Sequence, residues 1–187
     1  TGYAPAEIAQ IGETVEVFSH GNFPYLTLVT IVRLFLEGEG IGPVADAPTF
    51  KGRHAPDISV PFVLMERHHA DPPTRAVYDD VMATLDLPFV NTDYRAFARW
   101  PSYWAMAWGD LKPVVASPAY ADLCERVHGR VVEVARSLPN PGGLAVDAMR
   151  TAAGADAPFE EVLDVCRLFQ WLLPGLAVNV AFLRGQL

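Results

Sequence analysis

Two polar residues in otherwise apolar surroundings have the chemistry of a hydrolytic site. Asp93 occurs in residues 91–94 (NTDY) and Asn22 in residues 21–25 (GNFPY), each at the predicted start of a helix. A carboxylate in an apolar cleft can take a proton from water, and an amide can hold that water without adding charge. Asn and Asp are also favoured helix caps, so the residue types alone fit either a water-activating pair or two structural caps.

The chain lacks the motifs of several other kinds of catalytic site. It has no GxSxG nucleophile elbow, no glycine-rich phosphate loop and no HExxH pair. His68 and His69 are adjacent, and on a helix their side chains would diverge by about 100°, so they are not expected to share a metal. Methionine and aromatic positions are expected to form core rather than a cofactor pocket. We therefore predict neither a metal nor a cofactor.

Composition indicates a globular protein with one core. Of the 187 residues, 51% are hydrophobic and 19% are charged, which excludes disorder. The formal net charge of −8 and the lack of a basic stripe argue against nucleic-acid binding. Residues 168–183 are the most apolar segment, but polar residues interrupt it and it is shorter than the roughly 20 residues of a membrane span. Two cysteines and no visible signal peptide favour a cytoplasmic protein, with no membrane partner.

The elements that must position Asn22 and Asp93 are predicted to be helices throughout. Prolines in first turns and apolar residues at helical spacing predict two helices before residue 37, with a break at Gly21 and Asn22. From residue 37 to 61, glycine and proline recur without an apolar period, which is typical of a linker. No segment predicts a strand, so the fold class is all-α. Later helices are predicted to begin near Pro72, Asp93, Pro101, Pro118, Leu144, Pro158 and Gly175.

The two ends of the chain resemble each other. Residues 157–160 (APFE) match residues 4–7 (APAE), and the break at Pro174 and Gly175 falls on the break at Gly21 and Asn22. Both ends therefore predict the same helical hairpin, which indicates duplicated units forming a pseudo-dimer. We expect residues 1–36 to be the closing hairpin of a first unit, 37–61 a linker and 62–187 a second unit. Most of the first unit is then absent from this chain.

Several segments resemble the group I 2-haloacid dehalogenases, the family that acts on both D- and L-haloacids. They are residues 21–26 (GNFPYL), 91–101 (NTDYRAFARWP), 111–114 (LKPV), 137–139 (SLP) and the closing helix around Leu168 and Phe169. The resemblance covers nearly the whole chain. It implies an all-α pseudo-dimer with the active site between two related units, in agreement with the internal repeat.

The resemblance also implies a mechanism and a set of site residues. In that family an Asp activates a water and an Asn helps to hold it, and Asp93 and Asn22 match those positions. The water attacks Cα directly and expels halide with inversion and without an ester intermediate, which allows both enantiomers to react. Helix-start N–H groups beside Thr92 are expected to bind the substrate carboxylate. The residues expected to line the pocket are Asn91, Thr92, Tyr25 and Trp171.

This chain departs from the family pattern at two of these positions. Thr92 stands where the family has Ser, and Trp171 stands where the family has Tyr, which removes a hydroxyl. Tyr25 is retained. The size of the substrate and the way in which halide is accommodated are therefore left open by the resemblance.

The leading hypothesis is a cofactor-independent hydrolase that releases halide from small 2-haloacids, using Asp93 as base and Asn22 as water-holder. One alternative is a non-enzymatic helical module in which both residues are caps, and another is a hydrolase of the same fold acting on a different small carboxylate. In an enzyme, the two side chains must come within one water of each other. Apolar residues surround the helix at Val29, Ile31, Val32, Leu34 and Phe35, and something is expected to bury them. A product that starts near residue 1 is expected to bury them in a homodimer, whereas a longer product could cover them within one chain.

Overall fold

The structure is a computed structural model that describes residues 2–52, 58 and 61–187. In this part of the chain all regular structure is helical, which confirms the all-α class. The seven helices found there are α1 (Pro5–Glu37), α2 (Pro72–Leu85), α3 (Thr92–Phe97), α4 (Pro101–Val115), α5 (Pro118–Ser137), α6 (Val146–Asp156) and α7 (Phe159–Gly185).

Helix α1 does not break at Gly21 and Asn22, so the hairpin predicted at this end is wrong. Pro5–Glu37 is one helix with Pro24 inside it. An internal proline removes one helical hydrogen bond and costs about 3 kcal/mol. Residues three and four apart share one helix face, so they form a stripe along the helix. Burial of this stripe offsets the cost of the proline. The stripe passes through the expected break and consists of Ile11, Val15, Phe18, Asn22, Leu26, Thr30 and Leu34.

Helix α7 likewise runs unbroken through Pro174, so the two helices predicted there are also one. Pro113 lies inside α4 in the same way, instead of ending it. By length and composition alone, α7 is the one described helix that could cross a membrane, and 56% of its most apolar window is buried within the protein. Burial of this extent is typical of a core helix.

The first compact unit comprises Thr1–Gly21, His54–Leu123 and Leu176–Leu187. Helices α2 and α3 both pack on α4. The start of α2 is capped by Asp71, whose carboxylate accepts a hydrogen bond from the Thr74 N–H at 2.8 Å. The core of this unit includes Tyr78, Val81, Tyr94, Phe97, Trp104, Leu111 and Leu183.

The second compact unit comprises Asn22–Arg53 and Cys124–Gly175. It contains a polar cluster that we name the Gln170 hub, formed by the buried residues Gln170 and Thr30 and the half-buried residues Arg33 and His128. Gln170 Nε2 donates to Thr30 Oγ1 at 2.5 Å, while Gln170 Oε1 accepts from Arg33 Nε and pairs with His128 Nε2, each at 2.9 Å. One apolar cluster in the core of the unit consists of Leu36, Leu163 and Cys166, packed by Val29, Val32, Phe159 and Val162.

Each compact unit is assembled from separate stretches of sequence, and α1, α5 and α7 each contribute residues to both. The spatial units therefore do not follow the boundaries 1–36, 37–61 and 62–187. Those boundaries describe a duplication in the sequence, and the duplication stays a prediction. The described part of the predicted linker beyond α1, residues 38–52, 58 and 61, has no helix.

Candidate active site

The short helix α3 carries Asp93 in its first turn. The N-cap of α3 is Asn91, which has an extended backbone (φ −60°, ψ 156°). The Arg95 N–H donates to the Asn91 carbonyl at 3.2 Å and closes the first turn. Asp93 is 4% exposed, and a negative charge is favoured near this end of a helix. The predicted base is therefore a buried carboxylate at a helix start.

The alternative in which Asn22 and Asp93 are helix caps is wrong. Asn22 lies inside α1, and the cap position of α3 belongs to Asn91. Asn91 makes no side-chain capping bond, and its Oδ1 is buried without a hydrogen-bond partner in the described part of the chain. Because Asn at a helix start ordinarily uses this oxygen as the cap, the Asn91 amide is left available for another contact.

Contacts with the segment before α2 fix the backbone of α3. Arg95 Nη1 donates to Glu66 Oε1 at 2.7 Å, and the Arg95 carbonyl accepts from the Met65 N–H at 2.9 Å. The Tyr78 hydroxyl of α2 donates to the Met65 carbonyl at 2.7 Å, and burial raises the pKa of Tyr78 to about 12. Two elements of the first compact unit thus hold the helix that carries Asp93.

Aromatic rings cover another side of α3. The Tyr94 ring stacks on the Trp104 indole, with centroids 5.2 Å apart and an interplanar angle of 20°. Phe97 lies against the same indole, at 5.8 Å, and meets Phe18 edge to face at 5.6 Å. Tyr94, Phe97 and Trp104 are each no more than 1% exposed. Close packing therefore surrounds Tyr94, the residue that follows Asp93.

A hydrogen bond from α7 also reaches α3. Asn179 Nδ2 donates to the Tyr94 hydroxyl at 2.8 Å, and both residues are 1% exposed. Asn179 Oδ1 is buried and has no hydrogen-bond partner among the described residues. The sequence motifs do not identify Asn179. The signal that could have found it is a polar side chain on a helix face that otherwise buries Leu176, Val180 and Leu183.

The structure brings three of the predicted site residues together at the start of α3, namely Asn91, Thr92 and Asp93. Thr92 is exposed, and its Oγ1 accepts from Arg95 Nη2 at 3.3 Å. Asn91 and Asp93 are both buried. An exposed hydroxyl therefore lies between two buried polar groups along the chain.

The other three predicted residues belong to the second compact unit. Asn22 is 5% exposed on α1, whereas Tyr25 is 66% exposed on the same helix. Trp171 is 52% exposed on α7 and directly follows Gln170 of the Gln170 hub. Because Asn22 and Asp93 belong to different compact units, their convergence on one water stays a prediction.

Within the part of the chain that the structure describes, no group of three His, Cys, Asp or Glu side chains is arranged to hold a metal ion. His68 and His69 lie in a turn rather than on a helix. Their ring centroids are 3.9 Å apart, so the rings pack on each other instead of diverging as expected for a helix.

The chain is similar in sequence to two curated dehalogenases. It is 44% identical over 155 residues to the (R)-2-haloacid dehalogenase of Rhizobium sp. (strain NHG3), covering 82% of this chain and 59% of the relative. It is 36% identical over 188 aligned positions to the (R)-2-haloacid dehalogenase of Pseudomonas putida, covering 99% and 62%. The chain thus spans about three fifths of the length of these relatives. No family model matches it.

Solved structures give the same similarity at the level of the fold. A complex of D-2-haloacid dehalogenase with L-LA aligns with a TM-score of 0.83 and 35% identity, covering 99% of this chain and 65% of that one. A complex of a D-2-haloacid dehalogenase mutant with D-2-CPA aligns with a TM-score of 0.85 and 34% identity, covering 99% and 64%. This chain is therefore similar along nearly its whole length to about two thirds of a 2-haloacid dehalogenase.

Proposed function

We propose that this chain carries the catalytic carboxylate of a cofactor-independent hydrolase that removes halide from 2-haloalkanoic acids. The observation that carries the proposal is the buried position of Asp93 at the start of α3, held by contacts on two sides. The sequence and fold similarity to 2-haloacid dehalogenases supports the same activity. Because the chain spans only part of its relatives, activity and substrate are proposals for the whole protein.

In the proposed reaction Asp93 acts as general base on one water molecule. The water oxygen attacks Cα from the side opposite the halogen, and its proton passes to the Asp93 carboxylate. The electron pair of the carbon–halogen bond leaves with the halide ion. The products are a 2-hydroxy acid of inverted configuration, halide and a proton, with no ester to the protein at any stage.

The remaining predicted residues receive positioning and binding roles in this proposal. Asn22 holds the attacking water, since an amide can donate and accept without adding charge. Asn91 has a buried and unpartnered Oδ1, which supports a role in contacting water or substrate. Thr92, Tyr25 and Trp171 line the substrate pocket.

The configuration of the substrate is part of the proposal. Direct attack by water requires only access to the face opposite the halogen, so both enantiomers of a 2-haloacid are proposed substrates. Two of the relatives are named for the (R) acid. Rates measured separately with (R)- and (S)-2-chloropropionate distinguish a catalyst that accepts both from one that accepts only the (R) form.

Replacing Asp93 by Asn tests the proposal, because it keeps the shape and removes the base. Halide release from 2-chloropropionate should fall by about 10²-fold or more. Asp79→Asn is the matched control, because Asp79 pairs with Arg67 at 2.6 Å on the surface, where an ion pair contributes little stability. Equal activity of the two variants would remove Asp93 from the mechanism.

A hydrolase acting on another small carboxylate makes a different prediction in the same experiment. Wild-type protein would release no halide from any 2-haloacid, while Asp93→Asn would still lose hydrolysis of the other acid. A panel of 2-haloacids and of unhalogenated 2-acyloxy acids, which keep a free carboxylate, separates these outcomes.

A further inference from the structure

We propose that Asn179 is a positioning residue that sets the direction of the Asp93 side chain through Tyr94. The inference rests on the proposed function, and it adds a residue that no sequence motif marks. Asn179 lies on α7 and touches Tyr94, which directly follows Asp93 on α3.

The contact is a buried hydrogen bond between two helices of the first compact unit. Asn179 Nδ2 lies 2.8 Å from the Tyr94 hydroxyl, and neither residue is more than 1% exposed. The Tyr94 ring is clamped at the same time by its stack on Trp104. A ring held by both its face and its hydroxyl has little freedom to turn.

Core packing by itself does not account for an asparagine at this position. Its Oδ1 is buried without a partner among the described residues, and a half-satisfied amide in a core is costly. The same buried face of α7 carries Leu176, Val180 and Leu183, so leucine at position 179 would fit the pattern of the helix. The hydrogen bond to the Tyr94 hydroxyl therefore explains the amide at position 179 better than core packing does.

Fixing Tyr94 also fixes Asp93, because both residues lie in the first turn of a helix of only six residues. Such a short helix is marginal by itself and depends on tertiary contacts. Successive side chains on a helix point about 100° apart, so rotation of α3 about its axis would move both together. The Arg95–Glu66 ion pair restrains this rotation on one side and the Asn179–Tyr94 bond on another.

Loss of the bond should disturb catalysis more than substrate binding. A displacement of about 1 Å at a reacting group can lower a rate by 10²-fold without breaking any contact to the substrate. For Asn179→Leu we expect kcat to fall by about 10- to 100-fold, with KM changed by less than about 3-fold. The acid limb of the kcat/KM profile should also shift, because it reports the environment of the base.

The experiment compares Asn179→Leu, Tyr94→Phe, the double variant and Val180→Ala in the full chain, with halide release from 2-chloropropionate across pH. Val180 is a buried neighbour on α7, so its truncation perturbs packing without touching the hydrogen bond. If Asn179 acts through Tyr94, the double variant should be no slower than the slower single variant. Val180→Ala should keep the wild-type kcat and pH profile.

Two results would overturn the inference while leaving the proposed function intact. One is a kcat and pH profile of Asn179→Leu that match those of Val180→Ala, while Asp93→Asn is inactive. The other is a double variant whose losses multiply, which would show that the two residues act independently.

A measurement independent of activity covers the case in which the wild-type protein releases no halide and the proposed function fails. Hydrogen exchange of the backbone amides at residues 94–98 then tests the positioning role. Asn179→Leu should raise their exchange by about 10-fold or more relative to Val180→Ala, because α3 opens locally. Equal exchange in the two variants would refute the inference.

Discussion

The Tyr94 ring lies on the Trp104 indole with its centroid 5.2 Å away and the two planes 20° apart. This stack lies one residue beyond Asp93 and joins α3 to α4. Trp104 is fully buried and also contacts Phe97 and Trp108. The Trp104 indole therefore makes much of the aromatic packing against α3.

Truncation of Trp104 should be among the most damaging changes in the first compact unit. Trp104→Ala leaves a large cavity and should lower the free energy of unfolding by ~3–5 kcal/mol. Trp104→Phe should cost clearly less, because it keeps a ring for Tyr94 and because Nε1 has no partner in the described part of the chain to lose. Urea unfolding followed by circular dichroism measures both, with Met106→Ala on the half-exposed side of α4 as control. A loss below about 1 kcal/mol for Trp104→Ala would contradict this expectation.

Stability should fall at alkaline pH because of two buried tyrosines. Burial raises the pKa of Tyr78 and of Tyr103 to about 12 in the folded protein, against 10.0 for an ordinary tyrosine. The stabilisation is complete below pH 10 and is lost as pH rises from there through about 12, because only the unfolded chain ionises in this window. The loss should reach ~2–3 kcal/mol for each residue.

Urea midpoints between pH 8 and pH 11.5 measure this decline. Tyr78→Phe and Tyr103→Phe should each flatten the profile, and the double variant should flatten it most. Tyr78→Phe also removes the hydrogen bond to the Met65 carbonyl, so its stability at pH 8 should already be lower by ~1 kcal/mol. A double variant that keeps the wild-type slope would assign the alkaline loss to other groups.

The Gln170 hub should be the most sensitive polar feature of the second compact unit. Gln170→Leu removes one donor and one acceptor and leaves Arg33 Nε without its partner, so unfolding should become easier by ~2–3 kcal/mol. The control is Arg130→Ala, which breaks an exposed ion pair with Glu133 and should cost less than about 1 kcal/mol. Equal stabilities of the two variants in urea would show that the hub contributes no more than a surface pair.

The origin of the product hydroxyl distinguishes direct attack by water from attack by a carboxylate. In a single turnover in ¹⁸O-water, with protein in excess over 2-chloropropionate, the hydroxyl of the product should carry the label. Mass spectrometry measures the ¹⁸O label in the lactate and in the peptide that contains Asp93. An unlabelled product would require an ester between a protein carboxylate and the substrate, and label in the Asp93 peptide would identify Asp93 as the nucleophile instead of the general base.

The helical class and the buried carboxylate could be predicted from the sequence because both depend on local signals. Asp93 lies among apolar and aromatic residues, and burial follows from that pattern. The break at Gly21 and Asn22 was a wrong prediction for a physical reason. Local propensity counts Gly21 and Pro24 as breakers, whereas the buried stripe of α1 continues through them and outweighs propensity.

Asn179 could not be predicted from local signals, because its partner Tyr94 is 85 residues away in the chain. A hydrogen bond between distant helices depends on how the helices pack, and no spacing rule encodes it. The Gln170 hub has the same origin, since Thr30 and Gln170 are 140 residues apart. In both α1 and α7 the informative pattern is a polar residue on an otherwise apolar buried face.

The tryptophans of the two compact units differ in their exposure to solvent. Trp100, Trp104 and Trp108 are at most 4% exposed in the first unit, whereas Trp171 in the second is 52% exposed. Collisional quenchers in solution therefore reach one indole out of four. Iodide is such a quencher, and it is also the ion that the proposed reaction would release from an iodinated acid. Iodide quenching therefore measures the exposure of Trp171 in the second compact unit separately from the three buried tryptophans of the first.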